Sequence, residues 1–549
     1  MKKPGFLLGL LVGLILTIPL IALFYLGYQM AALHFTPFTP LDWTARNLPG
    51  PIVTFGIDTM VGTIRALGLN VSDIAKLAEQ AMSIMMTIGL GGVVSAVFFL
   101  VLKRMKSAQN ALMIGAIVGG VVGIGLFLLQ TTLPDTSTID PILGFVWTVG
   151  LFALWGLAVG YALVRLTGPA AAVEADAATV SSIDRRRFLI QMGGAAAVVT
   201  VAGAGVGAML SPRLPDDRAG LPEATPSPEQ MAALPNAGDP VVPAPGTRPE
   251  ITPLADHYRI DINTLPPSVA AETYVLPFTT IIGSDTAEKS TLKSYTLDEI
   301  VGNFDAIDAY ITMSCISNSV GGDLISTTQW TGVPMQAVLA DVGVPDGATH
   351  LKMYAADGFD ETVALSLIDA DPRVMLCYAW EGQPLTIEHG FPLRIHIPNH
   401  YGMKQPKWIT EFEFLAQDND GYWVRRGWDK NALVKMTSVI DTVAVESPIV
   451  NGDRTLIPVG GIAWSGDRGI SKVEVQVDGG EWVEAQLRAP ISDRTWTIWR
   501  YDWPFAEGAH TFTVRATEGD GTPQIEAAAG VRPSGATGYH ELRRSVEAV

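Results

Sequence analysis

The chain has 549 residues, 48% hydrophobic and only 17% charged, where an ordinary soluble chain carries about a quarter charged residues, so a purely soluble or disordered protein is excluded. A formal net charge of −18 leaves no excess of basic residues for a phosphate backbone, which removes nucleic acid as a partner. Two cysteines in so long a chain make neither a disulfide framework nor a four-ligand zinc site without histidines.

Five apolar runs before residue 211 are long enough, at about 20 residues each, to cross a hydrocarbon core as helices. They are Phe6 to Met30, Ala81 to Leu102, Ala111 to Leu133, Pro141 to Leu166 and Phe188 to Leu210, so residues 1–210 are expected to form a membrane region. Pro51 to Val71 is apolar too, but Asp58 and Arg65 interrupt it and predict an amphipathic helix lying in the interface. Within the third run Gly115, Gly119 and Gly123 place small residues on one face, a spacing suited to close helix packing. The interiors of the second, third and fourth runs carry no charge, which counts against transport. His34 is the only histidine before His257, so paired histidines for a membrane haem are lacking.

Lys and Arg in short loops favour the cytoplasmic side. Lys2, Lys3, Lys103, Arg104, Lys106, Arg165 and Arg185 to Arg187 share one side if the N-terminus is inside, and five crossings then put everything after Leu210 outside the cytoplasmic membrane. The expected localisation is a multi-pass protein with its large C-terminal part extracytoplasmic. Asp184-Arg185-Arg186-Arg187-Phe188-Leu189 resembles a twin-arginine signal, placed internally rather than at the N-terminus, and such signals export folded proteins; the plainer reading is a positive-inside anchor.

Residues 211–255 turn to Pro, Ala, Asp and Glu and predict an extended tether. Residues 256–440 mix short β-branched runs, such as Leu351 to Tyr354 and Leu393 to Ile397, with helical patches such as Met335 to Val342, and predict an α+β domain. In residues 441–549 alternating runs (Ile457 to Trp464, Ser471 to Val477, Glu481 to Leu487, Trp496 to Tyr501, His510 to Thr517) are separated by turns, with Asp478-Gly479-Gly480 as a hairpin signal. That is the layout of an immunoglobulin-like sandwich, without the cysteine pair of antibody domains.

Both cysteines lie in the middle domain. Cys315 ends an apolar stretch and enters the Ser/Asn/Gly-rich loop Ser317 to Asp323, where a thiol can be exposed and ionised as a soft metal ligand. Cys377 sits inside the apolar run Val374 to Trp380 and reads as core filler. An oxidising compartment would also permit a disulfide between the two.

The ordered set Thr312 to Asn318 with Gly321-Gly322, Cys377 to Leu385, His389-Gly390-Phe391-Pro392-Leu393-Arg394, Pro398, Gly402, Lys404 and Lys407-Trp408 resembles the sulfite oxidase family of molybdopterin oxidoreductases. Gly461 to Gly466, Asp478 to Gly480 and Trp496 to Trp499 resemble that family's immunoglobulin-like dimerisation domain, so the resemblance runs from about Asp256 to His540 and leaves the membrane region unexplained. It implies a molybdenum-molybdopterin cofactor with Cys315 as the metal's thiolate ligand. Tyr258 and Arg259 match the pair opening the cofactor pocket, and His389, Arg394, Gln405, Pro406 and Lys407 match positions that hold the pterin and its phosphate. Tyr378 corresponds to the active-site tyrosine, with a core aromatic as the alternative reading. Ser319-Val320 stand where sulfite-oxidising members carry two arginines, which puts sulfite itself in doubt, and Arg532 loosely resembles a C-terminal arginine bordering the site.

The expected function is therefore two-electron oxygen-atom transfer on a small S- or N-oxide or sulfur oxyanion by a membrane-anchored enzyme. No haem-attachment or iron-sulfur cysteine motif occurs, so electrons are expected to pass to or from a separate carrier; membrane lipid and a second copy through the C-terminal domain complete the expected partners. The rival reading is a non-catalytic molybdopterin-binding module serving membrane-complex assembly.

Overall fold

Residues 5–102, 108–134, 139–167, 177–210, 233–283, 288–452 and 454–546 are described by the structure, a computed structural model. The chain divides into two compact units: a helical one, whose described residues fall within 1–53, 75–216 and 262–265, and a larger one drawn from 54–74, 217–261 and 266–549.

The N-terminal helices are α1 (Phe6–Ala31), α2 (Thr39–Asn47), α3 (Gly50–Ala66), α4 (Val71–Leu102), α5 (Ala108–Gln130), α6 (Pro141–Thr167) and α7 (Ala177–Leu210). Five of them, α1 and α4 to α7, are long and apolar enough to cross a membrane. They coincide with the five apolar runs, although α4 starts ten residues before the expected Ala81 and α7 takes the arginine triplet at 185–187 into its own length. The glycine face of α5 does what its spacing predicts. A Cβ on Gly115 would lie 2.3 Å from the Gly156 carbonyl oxygen and one on Gly119 would lie 2.1 Å from that of Phe152, so only glycine lets α5 and α6 approach this closely. The interrupted stretch after Gly50 folds as the 17-residue α3 and is mostly exposed.

In the larger unit the strands β1 (Val275–Thr280) and β2 (Ser290–Thr296) lead into α8 (Leu297–Asn303), whose Thr296 and Glu299 form a reciprocal capping box. Then come β3 (Ile307–Ser314), β4 (Ile325–Pro334), α9 (Met335–Val342), β5 (His350–Ala355), β6 (Asp360–Ala364), α10 (Leu365–Ala370), β7 (Met375–Trp380), β8 (Gln383–Pro384), β9 (Arg394–His396) and β10 (Ile409–Leu415). One sheet has the order β2-β1-β10-β5-β6 and the other β3-β4-β7-β8, with β9 on β7. Leu276, Phe278, Leu351, Met353, Phe412 and Phe414 of the first sheet meet Leu376 and Ile395 of the second, with Ile300, Val338 and Ile368 from the helices, in one buried core.

The C-terminal strands are β11 (Thr437–Val443), β12 (Ile449–Asn451), β13 (Arg454–Trp464), β14 (Ile470–Val477), β15 (Trp482–Glu484), β16 (Gln486–Leu487), β17 (Thr497–Pro504), β18 (Gly508–Glu518) and β19 (His540–Val546). They form a β-sandwich of sheets β11-β13-β17-β16 and β15-β14-β18-β19, with Val459, Val473, Val475, Trp499, Phe512 and Val514 between them. The hairpin signal works through its conformation: Asp478 and Gly479 both take positive φ, 51° and 71°, the combination a tight two-residue turn requires. β11 pairs with β13 from Thr437, so the sandwich begins a few residues before the expected start at 441.

The tether is a correction over its described part. From residue 233 to 255 the chain is seated on the sandwich, with Leu234 and Ile251 buried against Ile491. Arg488 Nε lies 2.6 Å from Glu250 Oε1, and the Asn236 amide donates to Glu250 and to the Ala489 carbonyl. These apolar anchors and the buried cation, with the Arg248–Asp441 ion pair at 2.7 Å, hold a segment whose composition predicts none of this. Residues 211–232 lie outside the described residues.

Candidate active site

Cys315 follows the last ladder pair of β3 and β4, Ser314 with Ile325. Its N–H donates to Leu324 O at 3.0 Å and its carbonyl accepts the Asn318 N–H at 3.0 Å, so the chain turns sharply at the cysteine. The Asn318 side-chain oxygen then accepts the Leu324 N–H at 3.1 Å and ties the loop across its base. A Cβ on Gly322 would lie 2.3 Å from that oxygen, which is why the loop needs glycine there. The strand-to-loop position is as expected, but the exposed, ionised thiol is not: Cys315 is only 8% exposed and burial pushes its thiol above the ordinary range. The neighbouring Ser317 hydroxyl, 3.0 Å from Sγ, acts in the opposite sense. The thiolate form therefore needs a cation or a metal to sustain it.

Two tyrosines, Tyr258 and Tyr401, lie within electrostatic reach of Cys315, and both are buried and held above the ordinary phenol range by that burial. Tyr258 also feels Arg394 and so links the cysteine to the cationic part of the site. Arg394, on β9 directly across from Cys377 on β7, is fully buried. Among the described residues its hydrogen-bond acceptors are uncharged, the His389 carbonyl at 3.1 Å and the Met313 thioether at 3.7 Å, and its guanidinium sits 4.7 Å from the Trp330 ring centre. A buried cation that neutral groups alone receive is the feature an anionic ligand satisfies.

Around it the rings of His257, Tyr258, Trp330, Trp380 and His389 pack with centroids 4.6 to 5.6 Å apart. His389 Nδ1 meets Thr386 Oγ1 at 2.9 Å and its Nε2 meets the His257 carbonyl at 3.2 Å. Among the described residues, His257 Nε2 and the indole N–H groups of Trp330 and Trp380 are buried without a hydrogen-bond partner. Burial pushes the His257 imidazole down to about 3 and holds His389 well below its ordinary value, so both are neutral at pH 7. Buried polar atoms without partners, a flat aromatic enclosure and an unneutralised guanidinium together fit a polar heterocycle bearing a phosphate.

The remaining expected residues divide. Lys407 Nζ donates to the Glu388 carbonyl at 2.8 Å and pairs with Asp261 at 3.3 Å, while Arg259 Nε reaches the same Asp261 at 2.8 Å. Gln405 is buried but holds the scaffold: it meets His396 Nδ1 at 2.8 Å and donates to the His400 carbonyl at 2.8 Å. Pro406 contributes its carbonyl to the Ile395 N–H at 3.2 Å. Cys377 is buried and unbonded to Cys315, with its thiol pushed up to about 12 by burial.

Tyr378 is placed elsewhere. Side chains alternate along a strand, so with Cys377 beside Arg394 the next residue turns to the other face, and Tyr378 packs at the edge of the central core. Its charged neighbour is Asp308 near the start of β3. Cys315 is seven residues further on, about 23 Å at 3.3 Å per residue. Arg532 lies over the Trp428 ring at 4.8 Å with its NH2 3.3 Å from Asp58. The sequence reading missed Tyr401, Trp330 and His257. His257 directly precedes the quoted Tyr258, and Trp330 carries no local signal beyond its strand.

A family model described as an oxidoreductase molybdopterin binding domain matches residues 267–423. Mitochondrial sulfite oxidase of Mus musculus is 29% identical over 206 residues, 32% of this chain and 38% of that protein. The Homo sapiens protein is 26% identical over 297 residues, covering 46% and 53% of the two. Inducible nitrate reductase [NADH] 2 of Glycine max is 25% identical over 328 residues, 48% and 36%. The chain thus spans well under two thirds of the length of these curated relatives. Among solved structures, the sulfane dehydrogenase SoxCD from Paracoccus pantotrophus aligns with 60% of this chain and 94% of its own at a TM-score of 0.46 and 18% identity.

Proposed function

We propose that residues 267–423, which match a molybdopterin-binding oxidoreductase domain, form the catalytic domain of a sulfite oxidase-family enzyme and that the whole chain is a membrane-anchored, extracytoplasmic oxidoreductase acting on a small sulfur or nitrogen oxide. The observation that carries this reading is the buried Arg394 guanidinium, received among the described residues by neutral groups and linked electrostatically through Tyr258 to Cys315. Cys315 would ligate the metal, and Arg394, His257, His389 and Lys407 would hold the pterin and its phosphate, with Arg259 and Asp261 bracing Lys407. When bound, the cofactor supplies two-electron oxygen-atom transfer. The protein's part is to keep water from the aromatic enclosure and to hold neutral His257 and His389 as hydrogen-bonding groups.

The substrate is assigned as a neutral or zwitterionic oxide, such as a sulfoxide or amine oxide, ahead of sulfite. A doubly charged oxyanion needs several fixed cations to offset its lost hydration. Ser319 and Val320 supply none, Arg259 is paired with Asp261, and Arg532 faces Trp428 and Asp58. Five apolar helices and the one-sided loop charges support anchoring with the catalytic part outside, α3 lies in the interface, and Arg185 and Arg186 mark export of the folded domain. The sandwich is immunoglobulin-like and dimerises, and a separate carrier supplies the two electrons, which with two protons convert the oxide to the reduced substrate and water.

Elemental analysis of protein made in cofactor-competent cells tests the core of this: about one molybdenum per chain is expected, with Cys315→Ala inactive and Cys377→Ala active. Absence of molybdenum, or an equal requirement for Cys377, refutes it. A steady-state panel with artificial electron carriers then tests the substrate; sulfite turnover at kcat/KM of about 10⁶ M⁻¹s⁻¹ or more overturns the neutral-oxide assignment.

A further inference from the structure

The Cys315 loop places a second side chain on the sulfur. Cys315 to Asn318 form one tight turn, closed by the Asn318 N–H on the Cys315 carbonyl, and Ser317 occupies its third position. From there its hydroxyl reaches back to within 3.0 Å of Sγ, its one hydrogen-bond partner among the described residues. The N–H groups of Ile316 and Ser317 face the same sulfur. The turn is not free to swing away, because Ile316 is buried in a cluster with Ile325, Tyr401, Ile462 and Trp464, and Asn318 is tied to Leu324.

We propose that Ser317 is a positioning residue that sets the donor strength of the Cys315 thiolate toward the metal by donating its hydroxyl hydrogen to Sγ. The inference rests on Cys315 being the metal's ligand as read above. In a thiolate the sulfur has no proton to give, so the hydroxyl is the donor and the sulfur the acceptor. A hydrogen bond to a ligating sulfur withdraws electron density from it, weakens its donation and favours the reduced metal; this outer-shell lever tunes potential without changing the ligand set. Replacing Ser317 with Ala removes the hydroxyl and leaves both backbone N–H groups in place.

The test uses the detergent-purified full chain with its cofactor, as wild type, Ser317→Ala and Ser317→Thr, each assayed for molybdenum content. A redox titration followed by molybdenum EPR and the thiolate-to-metal charge-transfer absorption are then recorded. Ser317→Ala is expected to retain the metal, shift the potential negative and move the charge-transfer band to longer wavelength. Ser317→Thr, which keeps the hydroxyl, should return both to the wild-type values. A fully loaded Ser317→Ala protein with unchanged band and potential overturns the proposal and leaves the cofactor reading standing. Equal metal loss in both variants also overturns it, since then only loop packing matters. A wild type without molybdenum removes the cofactor reading and this proposal with it.

Discussion

Replacing Lys404 with Met tests whether the catalytic domain is built around a buried ion pair. Lys404 Nζ lies 2.8 Å from Glu361 Oε1, and the two side chains are 5% and 1% exposed. The carboxylate packs against the Gly421 backbone, where a Cβ would lie 2.3 Å from Oε1, so only glycine fits beside it. Burial already raises Glu361 above its ordinary 4.5, and Lys404 is the main opposing influence. Without the lysine the carboxyl takes up a proton rather than remaining charged in the core. The cost of protonation at pH 7 is then about 2.5 units at 1.36 kcal/mol each, roughly 3 kcal/mol, in line with the ~3–5 kcal/mol for breaking a buried pair. At pH 5 the same step costs under about 1 kcal/mol. The sign follows from proton counting: above 4.5 the folded variant holds a proton the unfolded chain has released, so its stability falls as pH rises. Urea unfolding of wild type and Lys404→Met at both pH values measures the difference, and adding Glu361→Gln should recover most of the loss. An equal loss at pH 5 and pH 7, or no recovery in the double variant, refutes the reasoning.

Arg394→Met keeps the stem and removes the charge; since charge-assisted hydrogen bonds contribute about 1.5–3 kcal/mol, cofactor affinity should fall about tenfold or more, read as faster loss of molybdenum on dilution or dialysis, while circular dichroism stays native. Arg488→Ala leaves Glu250 buried without its cation, with an expected loss of about 3–5 kcal/mol. The same variant should be cut by protease within residues 233–255 well before the sandwich, and uniform resistance there would show the segment is held by other contacts.

What the sequence makes legible is what adjacent residues decide. The apolar runs, the helix Met335–Val342, the Asp478-Gly479 turn and the sharp bend at Cys315 each follow from a few neighbouring side chains. What it hides depends on partners far along the chain. The texture of Ser317 to Asp323 reads as open loop, yet Cys315 is buried and Tyr258 and Tyr401, about 60 and 90 residues away, lie within its electrostatic reach. Tyr378 shares a dense motif with Cys377, but a motif does not say which face of β7 each residue takes. That is decided by pairing with β9, and β7 also carries a register shift against β4. The seat of residues 233–255 depends on Arg488, some 240 residues away, and no composition argument reaches that distance. Arg394 stands between the two kinds: its place in a phosphate-binding motif is legible, and its neutral surroundings are not.

The buried histidines make acid the condition that separates this domain from one built on ion pairs alone. His257, His389 and His396 are each buried and neutral, with burial the largest cause and the Arg394 charge adding to it. His257 and His396 are pushed down to about 3 from 6.5. Between those values the unfolded chain binds protons that the folded chain refuses, so the stability they contribute is present above pH 6.5 and is lost as pH falls. At pH 5 the deficit is 1.5 units, about 2 kcal/mol for each of the two, a large part of the 5–15 kcal/mol typical of a folded domain. Asp360 and Asp371 are held below their ordinary range and titrate later, so the interval from pH 7.5 to 5 belongs to the imidazoles. His396→Asn isolates one of them, because its amide can still meet Gln405 and does not titrate. Its urea stability should fall about 2 kcal/mol less than wild type across that interval, and Glu361, which works in the opposite sense, cancels in the comparison. Parallel pH curves for the two proteins would mean that His396 is charged or solvated in the folded state and would refute its place among the buried neutral imidazoles.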